Sequence, residues 1–270
     1  MRSVVVTGGF DDLKSRHIRF LEEASRQGDV HVLLWSDKML AAADGHAPKF
    51  LQEERLYVVQ AIRYVHRVTL VTGQSEKDLL ADVTRIQPEA WVVDAAGDAL
   101  WKRDFSRAHG MVYRVLTEAD LEGFPELQLD ALDARKKVIV TGCFDWFHSG
   151  HVRFFEAVSE LGDLYVCVGH DENVKLLKGE GHPMFPQDER RYVVQAIRYV
   201  KQGLVSSGSG WMDAEPEIGR IKPDIYAVNE DGDKPEKKVF CETHGLAYVV
   251  LKRTPKEGLP RRTSTNLRGF

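Results

Sequence analysis

The chain of 270 residues repeats itself, and this internal repeat constrains the fold more than any other feature of the sequence. The segment Val4–Asp11 (VVVTGGFD) matches Val138–Asp145 (VIVTGCFD) at an offset of 134 residues. Farther along, Tyr57–Val65 (YVVQAIRYV) recurs without a single change as Tyr192–Val200, at an offset of 135. We therefore expect two copies of one fold in tandem rather than one large domain.

The repeat predicts a domain over residues 1–125, a polar linker over 126–135 and a second domain over 136–270. Each half alternates short β-branched runs with helical patterns. Such alternation favours right-handed crossovers and a parallel sheet covered by helices on both faces. The predicted fold class is α/β, with two tandem Rossmann-like domains, each a parallel sheet flanked by helices.

Apolar runs and helical periodicity predict the elements of the second half. The predicted strands are Val138–Val140, Leu164–Val168, Ile225–Val228 and Ala247–Leu251. The predicted helices are Ser149–Leu161, Asp188–Val200 and Lys237–His244. Ligands of such sheets bind at the carboxyl ends of the strands, where the strand order reverses.

The loop after the first of these strands carries the strongest chemical signal, TGCFDWFHSGH from Thr141 to His151. His148 and His151 are three residues apart where the chain enters a predicted helix, so both rings can face one side. The unpaired N–H groups of a helix N-terminus favour anions. Gly142 and Gly150 allow a tight turn and a close approach of backbone to ligand. This pattern predicts a phosphate site.

These residues also resemble a known family, the cytidylyltransferase-like nucleotidyltransferases, whose signature is G-x-F-D followed by H-x-G-H. The resemblance covers essentially all of the second half. It continues in Lys178-Gly179, in DERRYVVQAIRYV (Asp188–Val200) and in RTSTNL (Arg262–Leu267). The order of these motifs looks most like that of the phosphoethanolamine and phosphocholine cytidylyltransferases.

The resemblance implies a reaction in which a phosphate oxygen of the acceptor attacks the α-phosphorus of a nucleoside triphosphate and pyrophosphate leaves. The implied donor is CTP, with Mg²⁺ as cofactor, and the acceptor is a small phosphorylated alcohol or amino alcohol. Because the attacking phosphate is already an anion, positioning and charge neutralisation are expected to supply most of the catalysis.

The same resemblance assigns roles to individual residues. His148 and His151 would hold the triphosphate and stabilise the crowded α-phosphorus, and Lys178 would bridge the phosphates of donor and acceptor. The implied nucleotide contacts are Thr141, Gly142, Cys143, Phe144, Asp145, Gly150, Arg198, Arg253, Arg262, Thr263, Ser264 and Thr265.

Two of these arginine assignments stay open. Residues 255–262 (PKEGLPRR) are an insertion relative to the family's R-T-x-G-x-S-T-T segment, so either Arg253 or Arg262 could be the functional arginine. Arg198 could bind phosphate or be a solvated charge on a helix face, since Arg63 has the same place in the first half.

The sequence signals for the acceptor site are less specific than those for the nucleotide site. Asn229 and Glu230 begin the segment Asn229–Asp233 (NEDGD), where the family has a shorter turn, and Glu230 could select a cationic head group or face water. Trp146 could line the acceptor site or pack in the core. Trp211 follows a Ser/Gly-rich stretch, Ser206–Gly210, that is typical of a mobile loop, which allows a lid role.

The first half lacks the catalytic pattern. Lys14 stands in place of the first histidine, Arg16 in place of the glycine, and His17 remains alone. This half is expected to be inactive. Because a two-fold contact needs the same patch on both sides, the identical segments Tyr57–Val65 and Tyr192–Val200 predict an internal pseudo-dimer. A further oligomer is also compatible with the sequence.

Composition excludes several classes. A net charge of -4, from 37 basic and 41 acidic residues, argues against a nucleic-acid binder that works by bulk attraction. No run approaches the roughly 18 apolar residues of a membrane span, and a cytoplasmic location is expected. Three cysteines, Cys143, Cys167 and Cys241, are predicted to be free thiols.

Two alternative functions remain at this point. Within the same superfamily, an adenylyltransferase or a sugar-phosphate nucleotidyltransferase would share the H-x-G-H motif. A non-catalytic nucleotide-binding regulator would belong to another class. The intact histidines and lysine of the second half favour an enzyme.

Overall fold

The computed structural model describes residues 2–127, 135–263 and 267. The chain divides into two compact units, residues 1–123 and 124–270. Of the predicted linker 126–135, residues 128–134 lie outside the described part. Each unit contains one five-stranded sheet with helices between successive strands.

Unit 1 alternates strands and helices throughout. Its elements are β1 (Ser3–Gly8), α1 (Ser15–Ser25), β2 (Asp29–Trp35), α2 (Asp37–Asp44), α3 (Gln52–Gln60), β3 (Val65–Val71), α4 (Leu80–Ile86), β4 (Ala90–Asp94), α5 (Leu100–Ala108) and β5 (Val112–Leu116). Short 3₁₀ helices occupy Glu76–Leu79 and Ala119–Leu121.

Unit 2 has the same order of elements. They are β6 (Lys137–Gly142), α6 (Ser149–Ser159), β7 (Asp163–Val168), α7 (Asp171–Lys178), α8 (Gln187–Gln195), β8 (Val200–Val205), α9 (Glu215–Ile221), β9 (Ile225–Asn229), α10 (Pro235–His244) and β10 (Ala247–Leu251). Short 3₁₀ helices occupy Gly210–Met212 and Glu230–Gly232.

Both sheets are parallel and share one topology. The strand order is β3-β2-β1-β4-β5 in unit 1 and β8-β7-β6-β9-β10 in unit 2. All pairings within them are parallel. The predicted α/β class with two Rossmann-like sheets is therefore confirmed. The matching topologies fit a duplication, which itself stays a prediction.

The central strands are buried on both faces, as their β-branched sequences predict. Val138, Ile139 and Val140 of β6 are fully buried, and β6 lies between β7 and β9. The strand order reverses at β6 and β9, so the loops after these two strands meet at the carboxyl edge of the sheet.

One predicted helix was too long. The pattern predicted a helix over Asp188–Val200, but α8 ends at Gln195 and β8 begins at Val200. Val200 pairs with Leu164 of β7, and this sheet pairing overrides the helical periodicity of the sequence. Arg198 therefore lies in a turn rather than on a helix. The helices α7 and α9 and the strand β8 were not predicted.

The Ser/Gly-rich loop after β8 also differs from expectation. The Ser206 hydroxyl donates to Asp213 (2.6 Å), and the Gly210 N–H donates to the side chain of Asn173 (2.8 Å). The Asn173 amide donates back to the Gly210 carbonyl (3.0 Å). These bonds tie Ser206–Gly210 to its neighbours, whereas the sequence predicted a mobile loop.

Candidate active site

The loop after β6 begins with a turn built around Phe144. This residue has a left-handed backbone (φ 51°), and its ring folds back under Gly142. A Cβ on Gly142 would come within 2.8 Å of the Phe144 ring, so only glycine fits there. The ring also packs edge-on against His151 (5.3 Å between centroids). Both residues thus shape the loop that carries the histidines.

His148 caps the N-terminus of α6 and is 3% exposed. Its Nδ1 accepts the N–H of Gly150 at 3.1 Å, so the neutral ring carries its proton on Nε2. This Nε2 is buried and has no hydrogen-bond partner among the described residues. An unpaired buried donor costs about 1–3 kcal/mol, which makes it a natural ligand for an incoming acceptor oxygen.

His151 stacks on His148 with 3.9 Å between ring centroids and 21° between planes. Its Nδ1 is likewise buried and unpaired within the described part of the chain. Burial, together with Arg253 and Arg262, lowers the pKa of His148 to about 3. Burial also holds the pKa of His151 well below its usual range, with His148, Arg253 and Lys178 adding to the effect. Both rings are therefore neutral near pH 7.

Gly150 is required by the histidine pair itself. A Cβ at this position would lie 2.9 Å from Cε1 and 3.0 Å from Nδ1 of His148. It would also lie 3.6 Å from the carbonyl oxygen of Arg262. The sequence suggested that this glycine makes room for a phosphate, whereas the structure shows that it first makes room for the His148 ring.

Three predicted cations converge near the histidines. Lys178, at the end of α7, hydrogen-bonds the Cys143 thiol, whose pKa is raised because burial outweighs this contact. Arg253 donates from Nη2 to the Arg262 carbonyl at 2.8 Å. Arg253 and Arg262 both lower the pKa of His148, so the structure brings together both arginines between which the sequence could not choose.

A cavity of about 250 Å³ opens beside the histidine pair, between α6 and the segment that follows β10. Asn229, at the end of β9, forms part of its wall, as do Ser149 and Gly150. No acidic side chain lines the cavity among the described residues. Its basic lining residues are Arg153, Lys252, Arg253, Lys256, Arg261 and Arg262. The cavity is thus suited to a polyanion.

Asp145 has a structural task. Its carboxylate accepts the N–H groups of Met184 (2.7 Å) and Phe185 (3.1 Å) and contacts His182 Nδ1 (3.3 Å). In unit 1, Asp11 accepts the backbone N–H groups of Lys49 and Phe50 in the same way. The nucleotide role predicted for Asp145 gains no support from this geometry.

Sequence reasoning missed Arg190, which hydrogen-bonds the loop between β6 and α6, called here the catalytic loop. This residue is 1% exposed and donates to the carbonyls of Cys143 (2.7 Å), Phe185 (2.8 Å) and Gly169 (2.8 Å). It also pairs with Asp171 at 2.7 Å. The available signal was the repeat, because an arginine follows Asp-Glu in one half and Glu-Glu in the other.

Arg198 is not brought to the histidine pair. It precedes the amino end of β8, whereas His148 follows the carboxyl end of β6, and these are opposite edges of a parallel sheet. Arg198 is also exposed. Within unit 2 this geometry lends no support to a phosphate role for Arg198.

Three further predicted site residues are Thr141, Trp146 and Trp211. Thr141 hydrogen-bonds the hydroxyl of Tyr226 (2.8 Å), and Trp146 packs edge-on against Phe185 (6.3 Å), so both contact neighbouring side chains. Trp211 is 46% exposed in its 3₁₀ helix. Its lid role stays a prediction.

The end of the chain holds the last predicted contacts. Thr263 is partly buried, while Ser264 and Thr265 lie outside the described residues. The Glu230 carboxylate accepts the Arg253 N–H at 3.2 Å, and Asp231 pairs with the Arg253 guanidinium. Glu230 is thus engaged in holding the loop that carries Arg253.

Nothing in the described ranges forms a cluster of three or more His, Cys, Asp or Glu side chains able to hold a metal ion. The three cysteines are free thiols, as predicted. Over the part of the chain that the structure describes, none of the helices could cross a membrane.

The matching region of unit 1 is built differently. Lys14 replaces His148 as the helix cap, and Arg16 pairs with Glu118 (2.6 Å) above the helix N-terminus. A cavity of about 200 Å³ remains there, but Glu76 and Asp94 line it. Arg16 and Lys102 line it as well, so the predicted inactivity of unit 1 rests on the loss of the first histidine and of the glycine.

Residues 139–251 match the model of the cytidylyltransferase-like family. FAD synthase of Pyrococcus horikoshii is 43% identical over 124 residues, which cover 44% of this chain and 81% of that protein. FAD synthase of Ferroglobus placidus is 40% identical over 125 residues, with 45% and 78% covered. The bifunctional protein HldE of Nitratiruptor is 36% identical over 129 residues, with 46% and 27% covered.

Fold, site and relatives agree. The chain belongs to the cytidylyltransferase-like family of nucleotidyltransferases. The resemblance identified from its H-x-G-H motif is confirmed. These relatives support nucleotidyl transfer as the reaction class.

Proposed function

We propose that unit 2 transfers the adenylyl group of MgATP to a phosphate monoester and releases pyrophosphate. The observation that carries this proposal is the buried His148 Nε2–H, which is unpaired, neutral and flanked by cations. An acceptor phosphate oxygen forms a bond to the α-phosphorus, and the bond from that phosphorus to the β-phosphate oxygen breaks. The electron pair of the broken bond leaves with pyrophosphate. No general base is needed, because the attacking phosphate oxygen is already an anion.

Each part of the site has a task in this reaction. The two neutral histidines donate hydrogen bonds to phosphate oxygens whose charge grows in the transition state. Lys178, Arg253 and Arg262 neutralise the triphosphate and the acceptor phosphate. Because the rings and their surroundings are fixed before substrate enters, little reorganisation is needed during the reaction.

The preference for ATP rests on the relatives named FAD synthase. FAD consists of FMN joined to an adenylyl group, so FMN is the first acceptor to test. Exposed apolar side chains close to Lys178 in the sequence suit an acceptor with a large ring: Leu176, Leu177 and Met184 are 68%, 56% and 49% exposed.

Transfer of CMP to a phosphorylated alcohol or amino alcohol is the second candidate. The motif order of unit 2, in which Lys178-Gly179 precedes Asp188–Val200, favours it. Glu230 lends it little support, since this carboxylate holds Arg253.

The test is a pyrophosphate-release screen of the full chain with Mg²⁺. It pairs ATP, CTP, UTP and GTP with FMN, phosphoethanolamine, phosphocholine, glycerol phosphates and sugar phosphates. ATP with FMN is expected to release the most pyrophosphate. Release only with CTP would establish the second candidate. No release with any pair, combined with nucleotide binding, would indicate a regulator.

A further inference from the structure

The segment that follows β10 folds back over α6, the helix that begins after His148. Residues 252–262, called here the strap, contain the eight-residue insertion PKEGLPRR. The Arg253 guanidinium donates to the Arg262 carbonyl at 2.8 Å, so the two ends of the strap meet. They meet beside the N-terminus of α6, where the Arg262 carbonyl lies 3.6 Å from the position of a Cβ on Gly150.

The middle of the strap is held by an ion pair with α6. Lys256 Nζ lies 3.0 Å and 3.3 Å from the two carboxylate oxygens of Glu156. Glu156 is eight residues after His148, about 12 Å along the helix, and its side chain is 19% exposed. The strap therefore contacts α6 at two places, and the basic cavity lies between them.

Unit 1 supplies a natural comparison. Arg19 and Glu22 stand at the positions of Arg153 and Glu156, and both pairs are joined along the helix, at 2.6 Å and 3.0 Å. In unit 1, however, residues 117–123 after β5 carry three acidic residues and no basic one. The additional lysine therefore occurs in the unit that has the histidine pair.

We propose that Lys256 and Glu156 form a latch that holds the strap closed and thereby positions Arg253 and Arg262 beside the histidines. Glu156 does not line the basic cavity and is a positioning residue. Lys256 lines the cavity as well, so Glu156→Gln, which leaves the lysine in place, is the variant that isolates positioning. The effect of the latch on nucleotide affinity rests on the proposed function, whereas the latch itself is a property of the fold.

The test uses the full chain with Lys256→Met, Glu156→Gln and the double variant. Hydrogen exchange of residues 252–262 reports the latch, and calorimetric titration with MgATP and MgCTP reports its effect. We expect faster exchange of the strap and a three- to tenfold weaker Kd for the preferred nucleotide. Because Glu156 also pairs with Arg153, the double variant should be no worse than Glu156→Gln alone.

Two control variants separate positioning from general destabilisation. Lys256→Arg keeps the pair and should leave the hydrogen exchange of the strap within twofold of the wild type. Glu22→Gln alters the matching glutamate of unit 1 and should change neither strap exchange nor nucleotide affinity.

Unchanged strap exchange in Lys256→Met would overturn the latch. Faster exchange with an unchanged nucleotide Kd would overturn its positioning role. A wild type that binds neither nucleotide would refute the proposed function, and the exchange data would still decide whether the latch exists.

Discussion

At the residue scale, the site uses neutral histidines where lysines would have bound phosphate more strongly. A buried neutral N–H donor orients a phosphate oxygen without the solvation cost of a buried charge. His148 is fixed in one tautomer by the Gly150 N–H, and its ring plane is fixed by stacking on His151. The cations stand farther out, where they attract the substrate electrostatically.

Removing either histidine should slow the chemical step. We expect His148→Ala and His151→Ala to lower kcat for pyrophosphate release by about 10²–10³, the usual loss for one preorganised donor to a transition-state oxyanion. His17→Ala in unit 1 is the matched control and should stay within twofold of the wild type. Equal losses in both units would contradict the assignment of activity to unit 2.

The lowered pKa of His148 makes unit 2 sensitive to acid. Below about pH 6.5 the unfolded chain binds a proton at this residue, whereas the folded chain does so only near pH 3. Stability should therefore fall as the pH drops through this window, by up to about 1.4 kcal/mol per pH unit. Denaturant titrations between pH 7 and pH 4 should show a shallower loss for His148→Asn than for the wild type, and equal slopes would refute the assignment.

At the element scale, the catalytic loop is held by buried polar contacts that reach it from neighbouring elements. Arg190 of α8 binds three backbone carbonyls, one in the catalytic loop and two in the loops that flank it. Arg55 of α3 donates to Gly9 and Phe50 in unit 1, so the device serves the fold in both units.

Replacing this arginine should destabilise its unit. Arg190→Met leaves buried carbonyls without donors, which costs about 3–5 kcal/mol for a broken buried charged group. Calorimetric scans should show a lower melting temperature, and the pyrophosphate-release assay should show a lower kcat. Arg55→Met should destabilise unit 1 by a similar amount while kcat at a permissive temperature changes less. A larger loss of kcat in Arg55→Met would contradict this division of tasks.

At the scale of the whole molecule, one unit carries the histidine site and the other keeps the same sheet without it. The identical segments Tyr57–Val65 and Tyr192–Val200 still predict that the two units form an internal pseudo-dimer. Unit 1 would then supply unit 2 with the partner surface of a second subunit.

Cleavage of the linker tests this arrangement. A protease site introduced within residues 128–134 should be cut without separating the units. The two halves are expected to elute together in size-exclusion chromatography and to retain kcat. Halves that separate after cleavage, with the second half remaining monomeric and fully active, would refute the pseudo-dimer.

Much of the fold could be predicted from the sequence. The repeat predicted two similar sheets. The β-branched runs predicted the buried strands, because fully buried parallel strands need a continuous apolar sequence. The strand β8 escaped detection because its sequence, VKQGLV, is polar in the middle and follows a helical pattern directly. Its pairing with β7 is a tertiary property.

The sequence by itself determined a phosphate site, since the H-x-G-H spacing places two imidazoles at one helix N-terminus, and the resemblance of its motifs to the family implied the reaction class. Only the tertiary structure decided which cations reach them. Arg253 and Arg262 are joined across an insertion, Lys178 arrives from α7, and Arg198 falls on the opposite edge of the sheet. The physical reason is that proximity depends on how strands and connections are arranged in space, which local residue patterns do not encode.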